Sequence, residues 1–143
     1  PDFEAVDENG KVVRLKDVEG GKLILYVYPK DNTPTCTVES CNLRDNYTEL
    51  KKKGYAVLGV SPDSMTRHQN FIKKFKLPFT LLSDMDRKVM NDYGVWGRKK
   101  FMGREFDGVI RTTFVIDENG VIERVFKKVK SKEHAQQILE TYN

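Results

Sequence analysis

Apolar positions along this chain fall into short runs separated by turn residues. Leu23 to Tyr28 (LILYVY) is a continuous apolar run, with Gly20-Gly21 before it and Pro29 after it. A run of that length between breakers predicts a buried parallel strand, and Pro29, lacking an N–H, ends its ladder. Tyr55 to Val60 predicts a second buried strand and Phe79 to Leu82 a short third. Phe3–Val6 with Lys11–Leu15, and Arg111–Ile116 with Val121–Phe126, predict two hairpins around the same letters, Asp-Glu-Asn-Gly. Asn-Gly is a strong signal for such turns. Helical spacing predicts a helix from Cys36 to about Lys53, with Val38, Cys41, Leu43, Tyr47 and Leu50 near that spacing and Gly54 ending it. A second helix spans Met65 to Phe75, with Phe71, Ile72 and Phe75 inward. Asp84 caps a third that runs to about Tyr93, and Ser131 caps a closing one that runs to about Tyr142. Asp17–Gly21 reads as a loop. Val95–Ile110, with three glycines and no clean period, predicts a long functional loop.

Strand, helix, strand, helix, strand, helix, hairpin, helix is the order of an α/β fold. Its sheet is mixed and helices flank both faces. At 143 residues the chain suits one domain over 1–143. Net charge is +4, but the 25 basic residues are scattered among 21 acidic ones. The basic clusters at 51–53, 73–76, 98–100 and 127–130 carry no recognised motif, so nucleic acid is not an expected partner. No apolar run in these 143 residues approaches the roughly 20 that cross a bilayer. Two cysteines in a domain of this size do not make a disulfide scaffold, so a reducing cytoplasm is the expected location. Asn46-Tyr47-Thr48 has the form of a glycosylation acceptor but falls inside a predicted helix and is discounted.

Candidate chemistry gathers where the first parallel strand stops. Lys30-Asp31-Asn32-Thr33-Pro34 supplies turn chemistry and capping oxygens, with proline favoured at a helix start. Cys36 then falls in the first turn, facing free N–H groups and the positive end of the helix dipole. A thiol there is expected to ionise more readily than the ordinary value of about 8.5. The loop after a parallel strand lies at the carboxyl edge of the sheet, where α/β folds place their sites.

The stretch Tyr28–Asp45 (YPKDNTPTCTVESCNLRD), followed in order by FTLLSD, YGVWG, FMGREFDG and RTTFVID, resembles the peroxiredoxins. More narrowly, it is similar to the bacterioferritin-comigratory, or peroxiredoxin Q, group. The resemblance covers essentially the whole chain. It implies a thioredoxin-like fold with an N-terminal β-hairpin extension, and reduction of hydrogen peroxide and organic hydroperoxides. It implies Cys36 as peroxidatic nucleophile and Cys41 as the resolving cysteine. Thr33 would bind the peroxide, Pro29 would shield the sulfur, and Arg111 would hold the thiolate and orient the substrate. Thioredoxin is the implied reductant, no metal or organic cofactor is called for, and a monomer or weak homodimer is expected. One position departs from the group: Thr35 stands where glycine usually precedes the reactive cysteine, which would matter if that residue needed an unusual φ.

Five residues of helix separate Cα atoms by roughly 8–9 Å, beyond the reach of a disulfide, so a Cys36–Cys41 bond requires the helix to unwind. Two other readings use the same residues. A dithiol–disulfide oxidoreductase would normally place two residues, not four, between its cysteines. A thioredoxin-like scaffold or holdase, or a zinc-holding thiol pair, would consume no peroxide. His68 and His134 read as solvated helix residues, Trp96, Phe101 and Met102 as core or pocket wall, and Glu39 and Arg44 as helix-surface partners, with Arg44 a candidate support for Arg111.

Overall fold

The computed structural model describes residues 3–18, 21–101 and 104–141. Strands β1 (Glu4–Val6) and β2 (Val12–Arg14) form the N-terminal hairpin. Then come β3 (Lys22–Val27), helix α1 (Pro34–Asp45), α2 (Tyr47–Lys52), β4 (Tyr55–Ser61), α3 (Met65–Phe75), β5 (Thr80–Ser83) and α4 (Lys88–Asp92). They are followed by β6 (Trp96–Phe101), β7 (Arg104–Val109), β8 (Thr112–Ile116), β9 (Ile122–Phe126) and α5 (His134–Glu140). Seven strands form one sheet in the order β2-β1-β5-β4-β3-β8-β9. The pairs β3–β4 and β4–β5 are parallel, and β1, β8 and β9 join antiparallel.

Alternation along β3 builds both cores at once. Leu23, Leu25 and Val27 join Leu58, Val60, Met90 and Phe114 on one face. Ile24, Tyr26 and Tyr28 join Cys36, Leu43, Phe71 and Ile138 on the other. Each such side chain, taken fully out of water, contributes about 1.5–3 kcal/mol. Helices α1, α2, α3 and α5 thus cover one face, and α4 with the base of the β6–β7 ribbon covers the second.

Several elements differ from the sequence expectation. The span 95–110 is an antiparallel ribbon, pairing Trp96 with Val109 through to Phe101 with Arg104, not a loop. Buried Val95 and Val109 anchor its base. The intervening charged residues hide the alternation that would announce a strand. The side chains of Phe101 and Met102 lie outside the described residues. The long helix after Cys36 breaks at Asn46, whose side-chain amide donates to the Asn42 carbonyl at 2.8 Å and competes with the helical ladder. Val38 faces out at 37% exposure. A 3-10 turn occupies Leu15–Val18, and another (Ser131–Glu133) precedes α5. Helix α4 starts four residues beyond Asp84, whose carboxylate accepts from the N–H groups of Val89 and Met90.

Gly59 lies on β4 where Tyr26 and Leu81 close over it. A Cβ there would stand 2.6 Å from Leu81 Cδ2 and 2.9 Å from Tyr26 Cζ. Gly59→Ala should therefore cost about 1–3 kcal/mol in urea unfolding, as overpacked cores do. An unchanged midpoint would show that the Tyr26 ring yields freely.

Candidate active site

The turn between β3 and α1 is held by a buried polar network. Tyr28 donates its hydroxyl to Asp31 Oδ1 at 2.5 Å, and the Asp31 N–H donates to Asp63 Oδ2 at 2.7 Å. His68 Nδ1 lies 2.6 Å from Asp31 Oδ2, and its Nε2 faces the Leu82 carbonyl at 3.0 Å. Ser61 donates to Asp63 Oδ2 and Arg67 to Asp63 Oδ1. His68 is fully buried, not solvated as expected, because it ties the turn to β5 and α3. Asp31, Asp63 and His68 have the composition of a metal site, with ligand atoms within 4.8 Å of one another. Each of those atoms already serves a hydrogen bond, so the cluster works as a strut.

Pro34 opens α1 at its first helical position, where its missing N–H costs nothing. Thr33 occupies the N-cap with extended backbone (φ −92°, ψ 156°) but does not cap with its side chain. Its hydroxyl donates instead to the Lys30 carbonyl at 3.0 Å. Among the described residues, the first-turn amides of Thr35 and Cys36 are thereby left without a side-chain partner. Thr35 sits within the helix and has no positive φ, so its β-branch carries no backbone strain.

Cys36 is 1% exposed and Arg111, just before β8, reaches it from across the sheet edge. The guanidinium donates to Cys36 Sγ at 3.0 Å through one nitrogen and to Glu39 Oε1 at 2.6 Å through another. Burial works against the Arg111 charge, yet Glu39 and Cys36 outweigh it and hold the guanidinium above its ordinary value. Glu39, expected at the surface, is fully buried, one helical turn from Cys36 on the same face. Burial pushes its carboxyl up to about 7, against the pull of Arg111. His134, also expected in solvent, is fully buried beside Glu39, and burial lowers it to about 4. The helical spacing from Cys36 to Glu39 was a usable signal for the first of these. Nothing local distinguishes His134, which arrives from α5.

Of the remaining expected residues, Pro29 is half-buried beyond the end of β3, and Cys41 is half-buried on α1. Burial pushes the Cys41 thiol up. Both cysteines are free and α1 runs unbroken through them. Arg44 supports neither Arg111 nor Cys36. It pairs with Asp45 and donates to the Phe75 carbonyl at 2.7 Å, fastening α1 to α3. Trp96 packs half-buried against the core with the Arg87 guanidinium 4.5 Å from its ring centre.

A thioredoxin-like sheet that presents a buried thiol at a helix start, gripped by arginine, defines a protein of thiol redox chemistry. The comparisons narrow that class. Residues 1–125 match the AhpC/TSA family, to which the chain belongs. It is 48% identical over 140 residues to a putative peroxiredoxin bcp of Haemophilus influenzae, covering 98% of this chain and 90% of that one. It is 47% identical to peroxiredoxin Bcp of Escherichia coli over 97% of this chain and 89% of that one. Among solved structures, the Xanthomonas campestris bacterioferritin comigratory protein, described for alkyl peroxide reduction, superposes with a TM-score of 0.90 at 32% identity. That match covers 97% of this chain and 88% of that one. The chain is thus an enzyme with thiol peroxidase activity, and thioredoxin recycling is the family's general mechanism.

Proposed function

We propose that Cys36 is the sulfur that attacks the peroxide. The observation that carries this reading is the Arg111 fork, which contacts the Cys36 sulfur and Glu39 together. The thiolate displaces on the terminal peroxide oxygen, the O–O bond breaks, and sulfenic acid forms while the departing alkoxide or hydroxide takes a proton. The amides of Thr35 and Cys36, left free by Thr33, stabilise the negative charge that develops during transfer. The Thr33 hydroxyl, which already donates to Lys30, accepts from the distal peroxide O–H. Pro29 limits water at the sulfur.

The Cys41 thiol then attacks Cys36 sulfenic acid, forming the disulfide and releasing water. With roughly 8–9 Å between Cα atoms in an intact helix, this step requires the first turns of α1 to unwind. A dithiol such as thioredoxin reduces the bond, and a reducing compartment such as the cytoplasm suits that cycle. The intact α1 disfavours the dithiol–disulfide oxidoreductase reading, because the pair cannot bond in the resting fold. Oxidation with one equivalent of peroxide should strip hydrogen-exchange protection from the first turns of α1 while the sheet stays protected. Undiminished protection of α1 in an enzyme shown by mass to carry the disulfide would refute the unwinding step.

A further inference from the structure

Behind Arg111 lies a buried pair that the peroxide chemistry does not touch. Glu39 Oε1 is taken by Arg111, but Oε2 is buried with no hydrogen-bond partner among the described residues. It points toward His134 Nε2 at 3.5 Å. Gln137 fixes the histidine's tautomer. Its amide donates to the Lys128 carbonyl at 2.9 Å, so its Oε1 faces the Lys130 N–H and His134 Nδ1, both at 3.0 Å. Nδ1 therefore carries a hydrogen, and Nε2 offers a lone pair that accepts from the Thr113 hydroxyl at 2.8 Å. With Glu39 ionised and His134 neutral, two lone pairs would confront each other in a buried site, an arrangement that is unfavourable without a hydrogen between them. One proton on either atom resolves the conflict.

We propose that Glu39 and His134 hold one proton between them, and that this proton sets how much of the Arg111 charge is available to the Cys36 sulfur. His134 is then a positioning residue for the peroxidase reaction, acting through Glu39 and Arg111. This rests on Cys36 being the reacting sulfur. Protonated, Glu39 leaves the guanidinium to Cys36. Ionised, it competes for the same charge and stands as a second anion near the thiolate. The other titratable or charged groups facing the pair are Arg111 from the start of β8, Cys36 from α1 and Tyr26 from β3. Tyr26 is held neutral by burial. The shifts agree in direction: burial raises Glu39 to about 7 and lowers His134 to about 4, so the pair keeps a single proton between those values. The two titrations belong to the pair rather than to either residue.

The test uses the full chain with Cys41→Ser, so that only Cys36 reacts. Two readouts are needed: the infrared carbonyl band of a buried carboxylic acid, and the rate of sulfenic acid formation with hydrogen peroxide, each followed against pH. A band that disappears near neutrality and is missing in Glu39→Gln is expected. His134→Gln offers an N–H to Glu39 Oε2 and should move the band's loss to lower pH, slowing sulfenic acid formation at about pH 6 by roughly threefold to tenfold, the scale of half to one unit of coupling. His134→Leu removes the opposing lone pair without supplying a donor, and should move the band's loss to lower pH by a smaller amount than His134→Gln. A histidine that shares no proton with Glu39 would leave the band's loss in His134→Leu at the wild-type pH or above it, and that result overturns the proposal. So does a wild-type spectrum without a titrating carboxylic acid, which decides the matter even if neither His134 variant folds. Absence of any reaction at Cys36 with the band intact would instead refute the assignment of the reacting sulfur.

Discussion

Cys36→Ser should abolish peroxide consumption, by about 10⁴-fold or more, the scale on which loss of a covalent nucleophile is felt. Serine keeps the size and hydrogen-bonding capacity of the site but is a far weaker nucleophile at neutral pH. The Arg111 nitrogen that donates to sulfur at 3.0 Å can donate equally to a hydroxyl, so the fold should be retained and the loss is chemical. Cys41→Ser should behave differently. It should complete one turnover, accumulate a sulfenic acid that a dimedone-type reagent traps, and fail to recycle with thioredoxin. Stoichiometric peroxide assays with mass analysis of the adduct separate the two outcomes. Residual turnover of Cys36→Ser at the wild-type rate would remove Cys36 from the reaction altogether.

Arg111→Gln should slow sulfenic acid formation by about 10²–10³-fold, comparable with removing one preorganised donor from a site of developing charge. Arg111→Lys should recover only part of the loss, since a single ammonium cannot present the fork that now bridges Cys36 and Glu39. The same substitution carries a pH signature in stability. Glu39 is raised to about 7 in the fold, above its ordinary 4.5, so it favours the folded state at low pH and loses that contribution as pH rises through 7. Without Arg111 the carboxyl is raised further, and a buried uncompensated anion remains once it ionises. Breaking a buried pair in this way costs about 3–5 kcal/mol when the charge is retained. Arg111→Gln should therefore be much more destabilised at alkaline pH than at about pH 5, where protonation of Glu39 relieves the penalty. Equal destabilisation by urea unfolding at both extremes would mean that Glu39 does not answer to Arg111.

Much of the site was legible in the chain, because it is built from short-range order. A strand stopped by Pro29, a turn and a helix opened by Pro34 place Cys36 at a sheet edge whatever the rest of the molecule does. The parallel strands were legible for the same reason: continuous apolar runs cannot be solvated. The ribbon over 96–109 was not, since glycines and charged residues leave its sequence without the alternation that its register would call for. Burial of His68 and His134 was hidden more deeply. Each is a polar residue on a helix with polar neighbours, and what buries it is a partner distant in sequence: Asp31 for one, Glu39 and Thr113 for the other.

The order of residues alone thus determined the layered α/β scaffold and the site of the thiol on it, since periodicity and turn residues act within a few positions, while the class of chemistry came from the resemblance its motifs carry. Tertiary structure alone decided that Glu39 and His134 stand buried behind the arginine that the resemblance had set against the thiol. Burial and electrostatic partnership depend on where β8 and α5 meet α1, and no local periodicity around Arg111 or His134 encodes that meeting.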